Sequence, residues 1–264
     1  MKIGFIGLGN MGSAILGGIL KQGNVSASDV IVTDKAPMAV KKAVEMLKVN
    51  AVPENTMVAE QADVLFLAIK PQIYEPVIRE IASSVKEGAI IISIAPGKKM
   101  EWIDGLFGGG KKIVRCMPNT PALVGAGCTG ACANSLVSEQ EMIQVMTLLN
   151  CFGKAYPVPE SLMDTVVGVS GSSPAYVFMM IEAMADAAVA DGMPRAQAYE
   201  FAAQAVYGSA KMLLDSKLHP GVLKDMVCSP GGTTIEAVRV LEEKGFRSAI
   251  IEAQKACVDK SKSM

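Results

Sequence analysis

The chain has 264 residues, half of them hydrophobic, 19% charged and 5% aromatic, with a formal net charge of −1. That length holds one large domain or two modest ones around a substantial core, and the even charge excludes the concentrated basic patch that nucleic-acid binding needs. Six cysteines without a CxxC pair, and a single histidine, exclude a zinc site and fit free thiols in a reducing cytoplasm.

Residues 3–20 are apolar after Met1 and Lys2, which is the outline of a signal peptide. Asn10, Ser13 and six glycines are foreign to such a segment, and their spacing has a better explanation. Lys2–Ile6 is a β-branched strand. Gly7-Leu8-Gly9-Asn10-Met11-Gly12 fits G-x-G-x-x-G, and a helical pattern follows from about Met11 to Gln22. Gly7 permits the tight turn, Gly9 lets the backbone approach a pyrophosphate, and Gly12 lets the helix pack on the strand. The helix start offers N–H groups and a positive dipole end to phosphates. Val30–Thr33 is the next strand, ending in Asp34, the position of a ribose-binding acid. A carboxylate there accepts the ribose hydroxyls of NAD and repels an added phosphate, whereas the adjacent Lys35 pairs with one, so preference between NADH and NADPH stays open.

Pro37–Lys48 reads as a helix with proline in its first turn. Val64–Ala68 and Ile90–Ile94 are continuous apolar runs, as expected of parallel strands covered on both faces. Pro71–Ser84 and Lys99–Leu106 supply helices, and Ile113–Met117 is a further strand. This alternation predicts an α/β fold, a Rossmann-type doubly wound sheet over residues 1–157. The texture changes near Tyr156-Pro157-Val158-Pro159. From 158 to 264 the sequence predicts an all-α domain with helices over Leu162–Val169, Ala175–Ala190, Arg195–Asp215, Gly221–Val227, Ile235–Glu243 and Phe246–Ser261. Tyr176–Val189 is apolar around its whole circumference, which a small helical domain can hardly bury alone, so this domain is expected to dimerise. No run reaches the roughly 18 uninterrupted apolar residues of a membrane span.

Two further segments carry unusual chemistry. Arg115-Cys116-Met117-Pro118-Asn119-Thr120-Pro121 lies at a strand's carboxyl end, where open α/β sheets bind ligands, and Asn119 there is a candidate cofactor contact. Ser229-Pro230-Gly231-Gly232-Thr233-Thr234 opens a helix. Its paired glycines expose successive N–H groups, a ready carboxylate site, and the threonines add hydroxyls without charge. Between Lys154 and Arg195 there is no Lys, Arg or His, which removes the usual acid–base groups from the most apolar helix. His219, before Pro220, reads as a helix-boundary residue.

These motifs together resemble the pyrroline-5-carboxylate reductases. The resemblance runs through the whole chain, on Gly4 to Met11, Ala68-Ile69-Lys70-Pro71, Arg115 to Pro121, Ser170-Gly171-Ser172-Ser173-Pro174-Ala175-Tyr176 and Val227 to Thr234. Ser173 stands where the family usually has a second glycine. The resemblance implies reduction of 1-pyrroline-5-carboxylate to L-proline by NADPH or NADH, the last step of proline biosynthesis. It implies a carboxylate held by Ser229, Gly231, Gly232, Thr233 and Thr234, with the Thr234 hydroxyl on the ring nitrogen as the catalytic contact. The implied cofactor set is Ile6 to Gly12, Asp34, Lys35, Asn55 near the adenine ribose, Ala68, Ile69 and Asn119, with Lys70, Pro71, Ala95 and Pro96 on the nicotinamide side. A cytoplasmic homodimer, extendable to a ring of dimers and free of nucleic-acid or membrane partners, is the accompanying expectation. Two alternatives remain at this point: a β-hydroxyacid dehydrogenase, which places a lysine where this chain has none between 154 and 195, and an NAD(P)-binding protein without turnover.

Overall fold

The short apolar runs assemble into one eight-stranded sheet in the computed structural model, which describes residues 1–263. In chain order the elements are β1 (Ile3–Ile6), α1 (Asn10–Lys21), β2 (Val30–Thr33), α2 (Pro37–Leu47), β3 (Asn50–Ala51), α3 (Asn55–Gln61) and β4 (Val64–Leu67). Then come α4 (Tyr74–Ile81), β5 (Ile90–Ser93), α5 (Met100–Leu106), β6 (Lys112–Met117), β7 (Gly127–Ala133), α6 (Glu139–Leu149), β8 (Gly153–Pro157) and α7 (Met163–Val166). The remaining helices are α8 (Ser173–Ala190), α9 (Arg195–Ser216), α10 (Pro220–Val227), α11 (Thr233–Glu243) and α12 (Phe246–Lys262).

The strand order is β3-β2-β1-β4-β5-β6-β7-β8, parallel except where β7 runs against β6. The order reverses between β1 and β4, the switch point where open sheets of this kind bind ligands. Register places Ile6 beside Thr33 and Leu67, and Leu67 beside Ser93. The residues that follow, Gly7, Asp34, Ala68 and Ile94, therefore leave the sheet at one edge.

Both faces of the sheet are buried, which is why β1, β2, β4 and β5 are apolar at nearly every position. On one face Ile3, Phe5, Ile15, Leu16, Ile19 and Phe152 cluster, and Phe5 stacks on Phe66 with ring centroids 4.7 Å apart. On the other, Leu65, Leu67, Tyr74, Ile78, Ile81 and Ile103 do so. Each such side chain contributes about 1.5–3 kcal/mol by leaving water.

Five elements were not read from the sequence: β3, α3, β7, α6 and β8. The strand β7 is Gly-Cys-Thr-Gly-Ala-Cys-Ala, small residues of little β propensity, fixed by pairing with β6 and β8 and by close packing. A Cβ on Gly130 would meet Val166 at 2.9 Å. The expected helix from Pro71 begins as a 3₁₀ turn over Pro71–Ile73, and α7 gives way to a π turn over Val167–Gly171.

By contacts the chain divides into two units, Met1–Ser172 with Cys257–Met264, and Ser173–Ala256. In the first, the end of α12 is tied by the Ser261 hydroxyl to Asp164 Oδ1 at 2.6 Å. In the second, α8 and α9 pack together across a turn in which Gly192 has a φ of +98°. His219 caps α10, its Nδ1 accepting the Gly221 N–H at 3.1 Å. Among the described residues of the second unit only Ala185, Ala198 and Ala202 are buried, while Phe178, Met179, Phe201, Tyr207 and Leu214 are each at least 60% exposed. The helical stretch Glu160–Ala190 is long and apolar enough to cross a membrane by length and composition alone, although Asp164, Glu182 and Asp186 punctuate it.

Candidate active site

The glycine turn is built by steric exclusion at two positions and left open at a third. Gly7 has a φ of +100°, and a Cβ there would lie 2.4 Å from the Ala68 carbonyl oxygen. A Cβ on Gly12 would lie 2.4 Å from the Gly7 carbonyl oxygen. A Cβ on Gly9 would meet nothing within 4 Å. Protein packing explains the first two glycines but not Gly9. Its bare backbone is an exposed cradle, and the N–H groups that follow open α1, which has neither a side-chain cap nor an acidic residue in its first turn. That is the donor set a pyrophosphate requires. Ile6 is the buried end of β1, Leu8 is buried, Asn10 is exposed and Met11 half-buried.

Asp34 is drawn directly onto this turn. Its Oδ2 accepts the Leu8 N–H at 2.5 Å, and its Oδ1 accepts the Ala36 N–H at 2.7 Å. The Ser13 hydroxyl donates to the Leu8 carbonyl at 2.7 Å, holding the turn from the helix side. Lys35 is exposed. Asn55, in the first turn of α3, donates through Nδ2 to Glu80 Oε2 at 2.9 Å.

Ala68, Ile69, Lys70 and Pro71 leave the end of β4, and Ala95 follows β5. These two exits are joined by a residue the sequence reading missed. The Tyr74 hydroxyl donates to the Leu67 carbonyl at 2.6 Å and accepts from the Ser93 hydroxyl at 3.2 Å and the Ile94 N–H at 3.3 Å. Ser93 Oγ in turn accepts the Ala95 N–H at 3.4 Å. Burial holds the Tyr74 phenol well above its ordinary range, so it stays a neutral donor. The signal available in the sequence was a tyrosine on the apolar face of α4, since a buried phenol needs a partner.

Asn119 sits at the same edge, after β6, and its amide makes one hydrogen bond at each end. Nδ2 donates to the Ser170 carbonyl at 2.9 Å and Oδ1 accepts the Cys128 N–H at 2.8 Å. Its side chain thus ties the Pro118–Pro121 turn to neighbouring segments. Arg115 is buried and pairs with Glu160 at 3.2 Å, leaving its Nε without a partner among the described residues. Burial, with Glu160 nearby, raises Cys132 to about 11, and burial beside Cys132 lifts Cys116 higher still, so both of these stay neutral thiols.

In the second unit, Ser229 to Thr234 forms a tight turn into α11. The Gly232 N–H donates to the Ser229 carbonyl at 3.0 Å, and Gly231 has a φ of +68°. A Cβ on Gly232 would fall 2.3 Å from Ser229 Oγ. No side chain caps α11, which begins at Thr233 and Thr234. Amide donors and two hydroxyls at a helix start can hold a carboxylate and a nearby polar hydrogen.

The first unit defines a nicotinamide-dinucleotide oxidoreductase of Rossmann type joined to a helical unit. Family models divide the chain in the same sense: one described as NADP oxidoreductase coenzyme F420-dependent matches residues 2–97, and pyrroline-5-carboxylate reductase dimerisation matches 160–264. The chain is 54% identical over 263 residues to the pyrroline-5-carboxylate reductase of Escherichia coli, covering 100% of this chain and 98% of the relative. Solved structures agree. That from Coxiella burnetii has a TM-score of 0.93 at 33% identity, covering 99% of this chain and 97% of its own. The NADP-bound one from Plasmodium falciparum has a TM-score of 0.90 at 31% identity, covering 100% and 97%. The chain belongs to the pyrroline-5-carboxylate reductase family.

Proposed function

We propose that this chain reduces 1-pyrroline-5-carboxylate to L-proline, completing proline biosynthesis in the cytoplasm, with NADPH or NADH as reductant. When bound, the reduced nicotinamide supplies the hydride that the C=N carbon accepts. The observation that carries the reading is the pairing, in one chain of this family, of the open Gly9 cradle with the uncapped Gly231–Thr234 turn.

The residues divide the work as follows. Ile6 to Gly12 hold the pyrophosphate against the start of α1, and Asp34, Lys35 and Asn55 form the adenosine side. Ala68, Ile69, Lys70, Pro71 and Ala95 line the nicotinamide side, kept in place by Tyr74 and Ser93. Asn119 supports that edge through its own hydrogen bonds and keeps one N–H and one lone pair for the cofactor. The amides of Gly231 to Thr234, with Ser229, hold the substrate carboxylate, and the Thr234 hydroxyl bonds the ring nitrogen. A protonated cyclic imine is already electrophilic, so positioning supplies much of the rate. That explains why no Lys, Arg or His is needed between residues 154 and 195.

The exposed apolar face of the second unit is covered by a second copy, consistent with its dimerisation family, and dimers associate further into a ring. No membrane or nucleic acid is a partner. The test of the loop assignment compares 1-pyrroline-5-carboxylate with 1-pyrroline, which lacks the carboxylate. A kcat/KM at least tenfold lower for 1-pyrroline is expected, and equal values would remove the carboxylate role from Gly231–Thr234.

A further inference from the structure

We propose that Asp34 is the specificity-determining residue for the reductant and makes this chain selective for NADH over NADPH. The inference rests on the reductase reading and sharpens its adenosine side. An acid ending the second strand of a dinucleotide-binding sheet bonds the ribose hydroxyls, and a 2′-phosphate must occupy the space beside it. Two features decide the balance between that acid and Lys35.

The first is immobility. Asp34 follows directly on β2, and each of its carboxylate oxygens is held by a backbone N–H, from Leu8 at 2.5 Å and Ala36 at 2.7 Å. It cannot turn aside without uncovering an amide of the glycine turn itself. A phosphate here therefore meets a fixed negative charge at close range, whereas ribose hydroxyls meet an acceptor with lone pairs remaining.

The second is the shortage of fixed positive charge. No arginine occurs before Arg79, and that guanidinium is on Glu75 at 2.9 Å. Lys41 lies 3.8 Å from Glu45. Lys35 is exposed, so its ammonium is well solvated and gains little from one more contact. Asn55, the other residue assigned to the adenosine, already donates to a carboxylate, that of Glu80. A bidentate phosphate partner of the kind arginine provides is missing from the segment that would need it.

The experiment is calorimetric titration of the purified protein with NADH and with NADPH, without substrate, for the wild type, Asp34→Asn and Lys35→Ala. Asparagine keeps an oxygen for the Leu8 amide and removes the charge. The wild type should bind NADH at least tenfold more tightly. Asp34→Asn should narrow that ratio at least fivefold, chiefly by improving NADPH, and Lys35→Ala should change it less than threefold. Adenosine 5′-monophosphate and adenosine 2′,5′-bisphosphate, titrated into the wild type, give the same comparison without a variant, and the monophosphate should bind more tightly. Equal or tighter binding of NADPH by the wild type overturns the proposal, as does an unchanged ratio in Asp34→Asn. Failure of both dinucleotides to bind overturns the reductase reading and takes the selectivity with it, which is a different result from tight binding with the wrong preference.

Discussion

The two units solve the problem of burial in opposite ways. The first encloses its sheet on both faces with large side chains such as Phe5, Phe66, Tyr74 and Phe152, all fully buried. The second buries three alanines and leaves phenylalanines, tyrosines and methionines facing outward. Packing that a chain completes by itself builds a precise cofactor turn. Packing left open in this way suits a homo-oligomer, as the match of residues 160–264 to a dimerisation family indicates.

The largest effect should come from breaking that association. Phe178→Glu with Phe201→Glu places four charges per dimer on the apolar face. Each lost burial removes about 1.5–3 kcal/mol, so sedimentation should show the dimer gone, with turnover lost alongside it. A variant that remains a fully active dimer would mean this face is not what the second copy covers.

Within the first unit, the glycine turn separates packing from binding. Gly12→Ala forces a Cβ to 2.4 Å from a backbone oxygen and should cost about 1–3 kcal/mol of stability, read as a lower Tm. A Cβ at Gly9 meets no protein atom within 4 Å, so Gly9→Leu should leave Tm nearly unchanged while abolishing dinucleotide binding in a fluorescence titration. Intact affinity in Gly9→Leu would contradict the cradle.

Thr234→Ala tests the proposed substrate contact of the second unit. It should lower kcat/KM by about 1–3 kcal/mol of transition-state stabilisation, with dimer and Tm unchanged. Unaltered kinetics would remove the hydroxyl from the ring nitrogen.

The smallest effect concerns the edge of the first unit. Lys112 lies 2.5 Å from Glu141, and this bond, with the N–H and hydroxyl of Ser138, holds the Glu141 carboxyl down at about 2. A depressed carboxyl stabilises the fold above its unfolded value of 4.5, and that contribution is lost as pH falls toward 2. Lys112→Met should lower stability by up to about 1 kcal/mol at neutral pH. The gap from wild type should close between pH 4.5 and 2 in thermal unfolding; a gap that stays constant would assign the loss to packing instead.

How much of this was legible in the sequence follows from how local each cause is. The strand–turn–helix–strand from Ile3 to Asp34 is encoded by neighbours: β-branched runs, glycine spacing and an acid at the strand end. The helix α6 was equally local, announced by the capping box of Ser138 and Glu141, and was overlooked rather than hidden. By contrast β7 has no intrinsic strand character and exists because β6 and β8 flank it. The roles of Tyr74 and Asn119 depend on partners up to 51 residues away, which residue type alone does not reveal. Asp34 lies between these cases. Its position was readable, but its two backbone anchors, on which the proposed preference rests, come from the folded turn. The proposed carboxylate loop was read from paired glycines, and the structure adds that Ser229 fills the space a Gly232 side chain would need.

The most direct test of the whole account is a single-turnover stopped-flow experiment in which the protein, loaded with reduced nicotinamide cofactor, is mixed with 1-pyrroline-5-carboxylate. Loss of the reduced-nicotinamide absorbance is expected, with one proline formed per cofactor oxidised. No loss of absorbance, in a protein that binds the cofactor and instead oxidises a β-hydroxyacid with the oxidised form, would contradict it.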